Sequence, residues 1–167
     1  MMQKEIIKMF KEILSKTKLK SIIDDELVKL KEDDDLSEAF LKFKLHRISH
    51  LVVVNHKNEF VGLISQKYLY RAHAPRKIMN EQMEFRPNIL LDGDSYYDRE
   101  SLDRVILRHI MNKEVFTLKQ DDTVMQAIEI MAKNYVGCIP IVDNHKKVFG
   151  VVTTHTIIEH LYGLMTS

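Results

Sequence analysis

Few residues of this 167-residue chain have the type and spacing to do chemistry. Its five glycines, at 62, 93, 137, 150 and 163, lie too far apart for a dinucleotide fingerprint or a phosphate-cradling loop. Neither Gly-x-Ser-x-Gly nor His-Glu-x-x-His occurs. Cys138 is the single cysteine; it excludes a disulfide framework and a cysteine-clustered zinc site, and it reads as core filler rather than a catalytic thiol. His155, Glu159 and His160 share one predicted helix, where i, i+4 spacing could offer a face to a metal, but with only these ligands no metal site is expected. Asp92, Asp94 and Asp98 are spaced somewhat like calcium ligands, yet the glycine stands at the wrong place, and a solvated turn is the better reading. Two small constellations remain, Gly62 with Ser65 and Gly150 with Thr153. A glycine lets a ligand approach a strand closely, and a hydroxyl where strand turns into helix offers itself and nearby N–H groups to a polar or anionic group. Their bland counterpart is tight strand packing and a helix N-cap.

Elements must hold these residues, and the composition supports a folded domain. Hydrophobic residues are 45% and charged residues 29% of the chain. Lys+Arg 25 against Asp+Glu 24 leaves a formal charge of +1, which argues against duplex nucleic acid as a partner. The opening residues break each apolar pair with Lys or Glu, so no secretory signal is expected, and no run reaches the roughly 20 apolar residues of a membrane span. The expectation is a soluble cytoplasmic protein with no membrane partner.

The chain also repeats itself. With Gly62 placed over Gly150, an offset of 88 residues, the register holds without a gap from Ile22 to Leu69. Asp35 precedes Glu38 by three residues and Thr123 precedes Gln126 by three, both capping-box patterns. Leu36, Ala39, Phe40 and Phe43 then mark one helical face, and Val124, Ala127, Ile128 and Met131 mark its counterpart. Leu51-Val52-Val53-Val54 and Ile139-Pro140-Ile141-Val142 read as buried strands, with Pro140 at a strand start or edge. Turn residues and a returning strand follow in each copy, then a helix from Ser65 or Thr153. The expected fold is α+β: two tandem β-α-β-β-α units packed about a pseudo-two-fold axis, plus an N-terminal helix. Residues 1–16 form that helix, 17–75 the first unit, 76–100 a polar connector marked by Pro87 and Asp92-Gly93-Asp94-Ser95, and 101–165 the second unit. Units of about 60 residues are too small for a comfortable core alone and should pack together.

Copy two, through Ile110-Met111, Ala127, Gly137-Cys138-Ile139-Pro140-Ile141-Val142-Asp143 and Val148-Phe149-Gly150-Val151-Val152-Thr153, resembles a cystathionine-β-synthase (CBS) domain. Copy one resembles the same pattern through Ala39, residues 49–55 and Gly62-Leu63-Ile64-Ser65, so the tandem resembles a Bateman module. That resemblance implies a non-enzymatic regulatory module and no required cofactor. It implies binding of AMP, ADP, ATP or S-adenosylmethionine in clefts between paired units, signalling to an unidentified regulated protein, and homodimerisation into a flat disc. The residues implied to bind are Leu51, Val52, Gly62, Ser65 and Lys67 in copy one. In copy two they are Cys138, Ile139, Pro140, Gly150, Thr153, Thr154 and His155. Apolar walls from Leu51, Val52, Ile139 and Pro140 would sandwich a base, and Lys67 and His155 stand where the family places a basic residue towards phosphate.

One departure bears on the ligand. The family's ribose-binding version ends Gly-h-h-(Ser/Thr)-x-x-Asp, but Tyr68 and Thr156 occupy the aspartate position here. Neither accepts two hydrogen bonds from a ribose diol, and a lost charged hydrogen bond costs about 1.5–3 kcal/mol. A weak nucleotide site, a different ligand and an empty cleft all stay open. The alternative function is a constitutive dimerisation or interaction module with vestigial clefts. An enzyme has no nucleophile–base pair behind it.

Overall fold

The computed structural model of the chain describes residues 2–23, 27–72, 76–77, 88–93 and 95–166. Pro87 and Asp94, singled out in the sequence, lie outside them. Helix α1 spans Met2–Lys16 and is followed by a 3-10 turn, Leu19–Ser21. The first copy then runs β1 (Lys29–Lys31), α2 (Leu36–His46), β2 (His50–Val54), β3 (Phe60–Ser65) and α3 (Gln66–Ala72). Between the copies lie β4 (Arg76–Lys77), β5 (Ile89–Asp92), β6 (Ser95–Asp98) and α4 (Arg99–Asp103). A second 3-10 turn, Leu107–His109, leads into α5 (Val124–Asn134), β7 (Cys138–Val142), β8 (Val148–Thr153) and α6 (Thr154–Thr166).

The duplication is written into the backbone as well as the sequence. Asp35 caps α2 by accepting from the Glu38 N–H at 3.0 Å. At Thr123 the capping box is complete, with Gln126 accepting from the Thr123 N–H at 2.8 Å. Both helices end on a left-handed residue, Arg47 at φ 52° and Tyr135 at φ 56°. Both hairpin turns hold another, Asn58 at φ 66° and Lys146 at φ 60°. Both hairpins shift register at the same place, between Val53 and Val54 and between Ile141 and Val142. Each of these pairs is 88 residues apart, although most of the side chains differ, so the duplication is of a backbone plan.

The copies differ at their first strand. In copy one, β1 pairs in parallel with β2 over three residues; in copy two the same pairing shrinks to a single bridge, Leu118 with Ile141. Pro140 accounts for the loss at one end, where the pair with Thr117 would need its N–H. At the other, Glu32 donates to the Val54 carbonyl at 3.0 Å in copy one and Gln120 makes no matching bond to Val142. Pro140 lies inside β7 rather than at a strand start, at the position of Val52, and has no N–H to give. Its carbonyl accepts from Leu118 at 3.1 Å, so its proton-less nitrogen also faces that side, and the β7–β8 ladder loses nothing.

One compact unit contains residues 28–114 and the other residues 1–27 with 115–167. The leading turn of each sequence copy is therefore built into the unit formed by the other copy. In the first unit, Leu107 and Arg108 donate their N–H groups to Asp34 and Glu32, each at 2.9 Å. In the second, Leu19 and Lys20 donate to Asp122 and Gln120 at 2.9 and 3.0 Å, the same bonds displaced by 88 residues. Ion pairs repeat the pattern, Arg108 with Asp33 and Lys20 with Asp121.

The segment expected as a polar connector carries an antiparallel sheet ordered β4-β6-β5. Gly93, at φ 59°, turns the β5–β6 hairpin. Leu90 and Tyr97 are buried in the core of the 28–114 unit with Phe40, Phe43 and Leu51, and the Tyr97 ring meets Phe40 edge-on at 5.4 Å. Asp92 fastens the hairpin to the helices, accepting from Lys44 at 2.5 Å and from the Tyr70 hydroxyl at 3.1 Å.

Candidate functional site

Side-chain alternation along each central strand sorts the residues implied to bind onto two faces. Leu51, Val53 and Ile64 point into the core of the 28–114 unit, and Ile139, Ile141 and Val152 into the core of its counterpart. Leu51 and Ile139, both 0% exposed, therefore belong to packing cores. Val52, Cys138 and Pro140 are buried on the opposite faces of their hairpins. Ser65 and Thr153 end β3 and β8 on those same opposite faces, directly across from His50 and Cys138. The geometry thus groups Val52 with Ser65, and Cys138 and Pro140 with Thr153, while setting Leu51 and Ile139 apart.

Glycine 62 pairs with Val53 in the ladder and Gly150 with Ile141. At Gly62 the space a side chain would fill is taken by the chain itself. A Cβ there would lie 2.8 Å from the Met111 sulfur and 2.9 Å from the Asn112 carbonyl oxygen. Asn112 also exchanges both backbone hydrogen bonds with Leu63, at 3.0 and 2.9 Å, which holds it against the strand. Tight packing accounts for this glycine.

The strand-to-helix turns share one scaffold. The Gln66 N–H donates to the Ser49 carbonyl at 2.9 Å and the Thr154 N–H to the Gly137 carbonyl at 3.1 Å, so the first helical amide is spent within the chain at both turns. The Thr154 hydroxyl reaches the same Gly137 oxygen at 3.3 Å. Beyond this the copies part. Thr153 and Thr156 lie 3.0 Å apart through their hydroxyls, and each hydroxyl accepts from the other's backbone N–H, at 3.1 and 3.3 Å. The residue at the ribose-aspartate position therefore closes a helix cap. His155 pairs with Glu159 at 3.1 Å on the exposed face of α6.

In copy one Tyr68, at that same position, packs against the core. Lys67 is exposed and Ser65 half-buried. Sequence reasoning passed over His50, which lies across from Ser65 and is half-buried. Burial, and then the Lys67 ammonium, hold its imidazole below the ordinary 6.5. The available signal was its alignment with Cys138, already among the residues implied to bind.

Cys138 is 4% exposed and burial pushes its thiol up to about 12. At neutral pH it stays a thiol, and the thiolate is the reactive form. Alkylation by iodoacetamide is expected to be negligible in the folded protein and rapid once denaturant unfolds it; rapid modification of the native protein would contradict this burial. Among the described residues no group of three or more His, Cys, Asp or Glu is placed to hold a metal ion. None of the described helices is long and apolar enough to cross a membrane.

Two hairpin-and-helix units with a polar strand-to-helix turn in each define a class of duplicated α+β module. The family model for the CBS domain matches residues 19–74 and 107–163, and the chain belongs to that family as a tandem pair. It is similar to the CBS domain of a bacterial CNNM/CorC family Mg2+ transporter in complex with ATP (19% identity, TM-score 0.69), covering 98% of this chain and 99% of that one. It is also similar to the CBS domain pair of protein MJ0100 in complex with 5'-methylthioadenosine and S-adenosyl-L-methionine (21% identity, TM-score 0.66, 90% of this chain and 98% of that one). In sequence it is 28% identical over 122 residues to an uncharacterized Methanopyrus kandleri protein; the match covers 73% of this chain and about half, 51%, of that relative.

Proposed function

We propose that the chain is a ligand-sensing regulatory module that binds an adenosyl small molecule, a nucleotide or S-adenosylmethionine, in its CBS clefts without transforming it. One observation carries this reading: structures that match nearly all of the chain hold ATP or methylthioadenosine with S-adenosylmethionine. The chain's own strand-to-helix turns add to it, since each has a hydroxyl followed two residues on by a basic side chain, Ser65 with Lys67 and Thr153 with His155. A ligand of this kind signals only if it binds two arrangements of the module with different affinity. The receiver is an unidentified regulated protein, and the working form is a homodimer. Ile158, Tyr162 and Met165, exposed at 58, 67 and 77% on α6, supply an apolar stripe suited to a second copy.

The test is thermal unfolding with AMP, ADP, ATP, S-adenosylmethionine and methylthioadenosine. A ligand at 100 times its dissociation constant adds about 2.7 kcal/mol and raises the midpoint visibly. No shift with any of them, together with native mass spectra free of a bound small molecule, overturns the reading. It would leave a constitutive interaction module, which the closed Thr153–Thr156 cap and the core-packed Tyr68 favour.

A further inference from the structure

The family match stops at residue 74 and resumes at 107, so the β5–β6 hairpin stands outside it. One side chain ties that hairpin to two helices. Half-buried Asp92 accepts from Lys44 of α2 through Oδ1 at 2.5 Å and from the Tyr70 hydroxyl of α3 through Oδ2 at 3.1 Å. Tyr70 in turn accepts from the Gln66 side-chain amide at 3.5 Å, and Gln66 opens α3 at the strand-to-helix turn. Copy two has no counterpart, because Ala132 and Ile158 stand where Lys44 and Tyr70 do. A second hydroxyl belongs to the same cluster. Tyr97 pairs with Leu90 across the hairpin, so Asp92, two residues on, shares its face of the sheet. Tyr97 is buried, and its hydroxyl has no hydrogen-bond partner among the described residues. Burial, then the neighbouring Tyr70 and Asp92, push this hydroxyl up to about 12, so it stays protonated and able to donate. Two tyrosines thus compete for one carboxylate oxygen on unequal terms. Tyr70 is exposed and can pass its hydroxyl to water; Tyr97 cannot, and a buried donor left unpaired is costly. Turning Oδ2 from Tyr70 to Tyr97 trades a surface hydrogen bond for a buried one, so the arrangement closed on Tyr70 carries a cost that the other relieves.

We propose that Asp92 is a two-position latch. Closed on Tyr70, as in this structure, it holds the β5–β6 hairpin to α3; turned inward to Tyr97, it lets the hairpin part from that helix. Lys44 can keep Oδ1 in both positions. Because α3 starts at the strand-to-helix turn, a shift of α3 moves Tyr70 and sets the latch, and the hairpin displays which position is taken. What shifts α3 rests on the adenosyl reading above; the latch itself does not.

Hydrogen exchange and thermal unfolding of the full chain test it with Tyr70→Phe and Tyr97→Phe, which keep both rings and remove one hydroxyl each. Tyr70→Phe is expected to speed exchange of the β5 and β6 amides more than twofold while leaving β7 and β8 unchanged. Tyr97→Phe is expected to slow the same amides more than twofold and to raise the midpoint. It removes both the unpaired hydroxyl of the closed position and the hydrogen bond of the open one. Hairpin exchange within twofold of the parent in either variant overturns the proposal. So does faster exchange or a lower midpoint in Tyr97→Phe, which would show that its hydroxyl is already satisfied in the native state. Where the variants behave as expected, ATP or S-adenosylmethionine should change hairpin exchange in the parent and not in Tyr70→Phe. If neither compound binds, the latch stands and the adenosyl reading falls. If one binds and leaves hairpin exchange alone, the link from the turn to the hairpin is overturned and the adenosyl reading stands.

Discussion

Gly62→Ala is expected to lower the stability of the protein by about 1–3 kcal/mol, the range of overpacked cores. The added methyl would arrive 2.8 Å from the Met111 sulfur and 2.9 Å from the Asn112 carbonyl oxygen. A thioether can swing aside, but the carbonyl belongs to a segment hydrogen-bonded to Leu63 on both sides and cannot. Relief therefore requires breaking that pairing or bending β3. Gly137→Ala is the natural contrast: its methyl would meet only the Thr154 hydroxyl, at 3.4 Å, and its backbone is not left-handed. There the smaller entropy of the unfolded chain should dominate, giving a neutral result or a gain of up to about 1 kcal/mol. Urea unfolding of both variants decides the matter. Should Gly62→Ala fall within about 0.5 kcal/mol of the parent, the size of ordinary surface changes, the close approach is not what requires glycine there.

This outcome bears on what could be read from the chain alone. Signals that act within a few residues were legible: the caps at Asp35 and Thr123, the apolar stripes they open, and the hairpins with their turns each stand where the spacing places them. Pairing information was not. Leu51-Val52-Val53-Val54 is apolar without a break, so nothing in it distinguishes Leu51, which faces the core, from Val52, which does not. The register with β3 makes that distinction, and it also places His50 across from Ser65. The β5–β6 hairpin went unread for a related reason. Asp92-Gly93 is a hairpin turn signal, but its strands are four residues each, too short for alternation to stand out. The commitment of the Thr153 hydroxyl to Thr156 was legible in principle, since Thr-x-x-Thr at a helix start is a capping arrangement whatever else it does.

The exchange of leading turns is the feature that spacing hid most completely, and it carries the second large effect. Leu107→Ala and Leu19→Ala are each expected to cost about 2–5 kcal/mol, as truncations of fully buried leucines do. Both residues are 0% exposed, and each fills the core of the unit whose strands come from the other sequence copy. The polar contacts around them cannot compensate. Lys20 and Asp121 are 56 and 78% exposed, and an ion pair so open to water is too weak to offset a lost core side chain. Measured against a typical domain stability of about 5–15 kcal/mol, either truncation is severe. Location distinguishes this account from a generic core defect. Hydrogen exchange should lose protection first in α2, β2 and β3 for Leu107→Ala, and first in α5, β7 and β8 for Leu19→Ala. Each leucine precedes the strands of its own copy, so a chain folded copy by copy would show the opposite assignment. Protection lost in the leucine's own copy, or a cost below about 1 kcal/mol, would mean that the leading turns are attached to these cores without completing them.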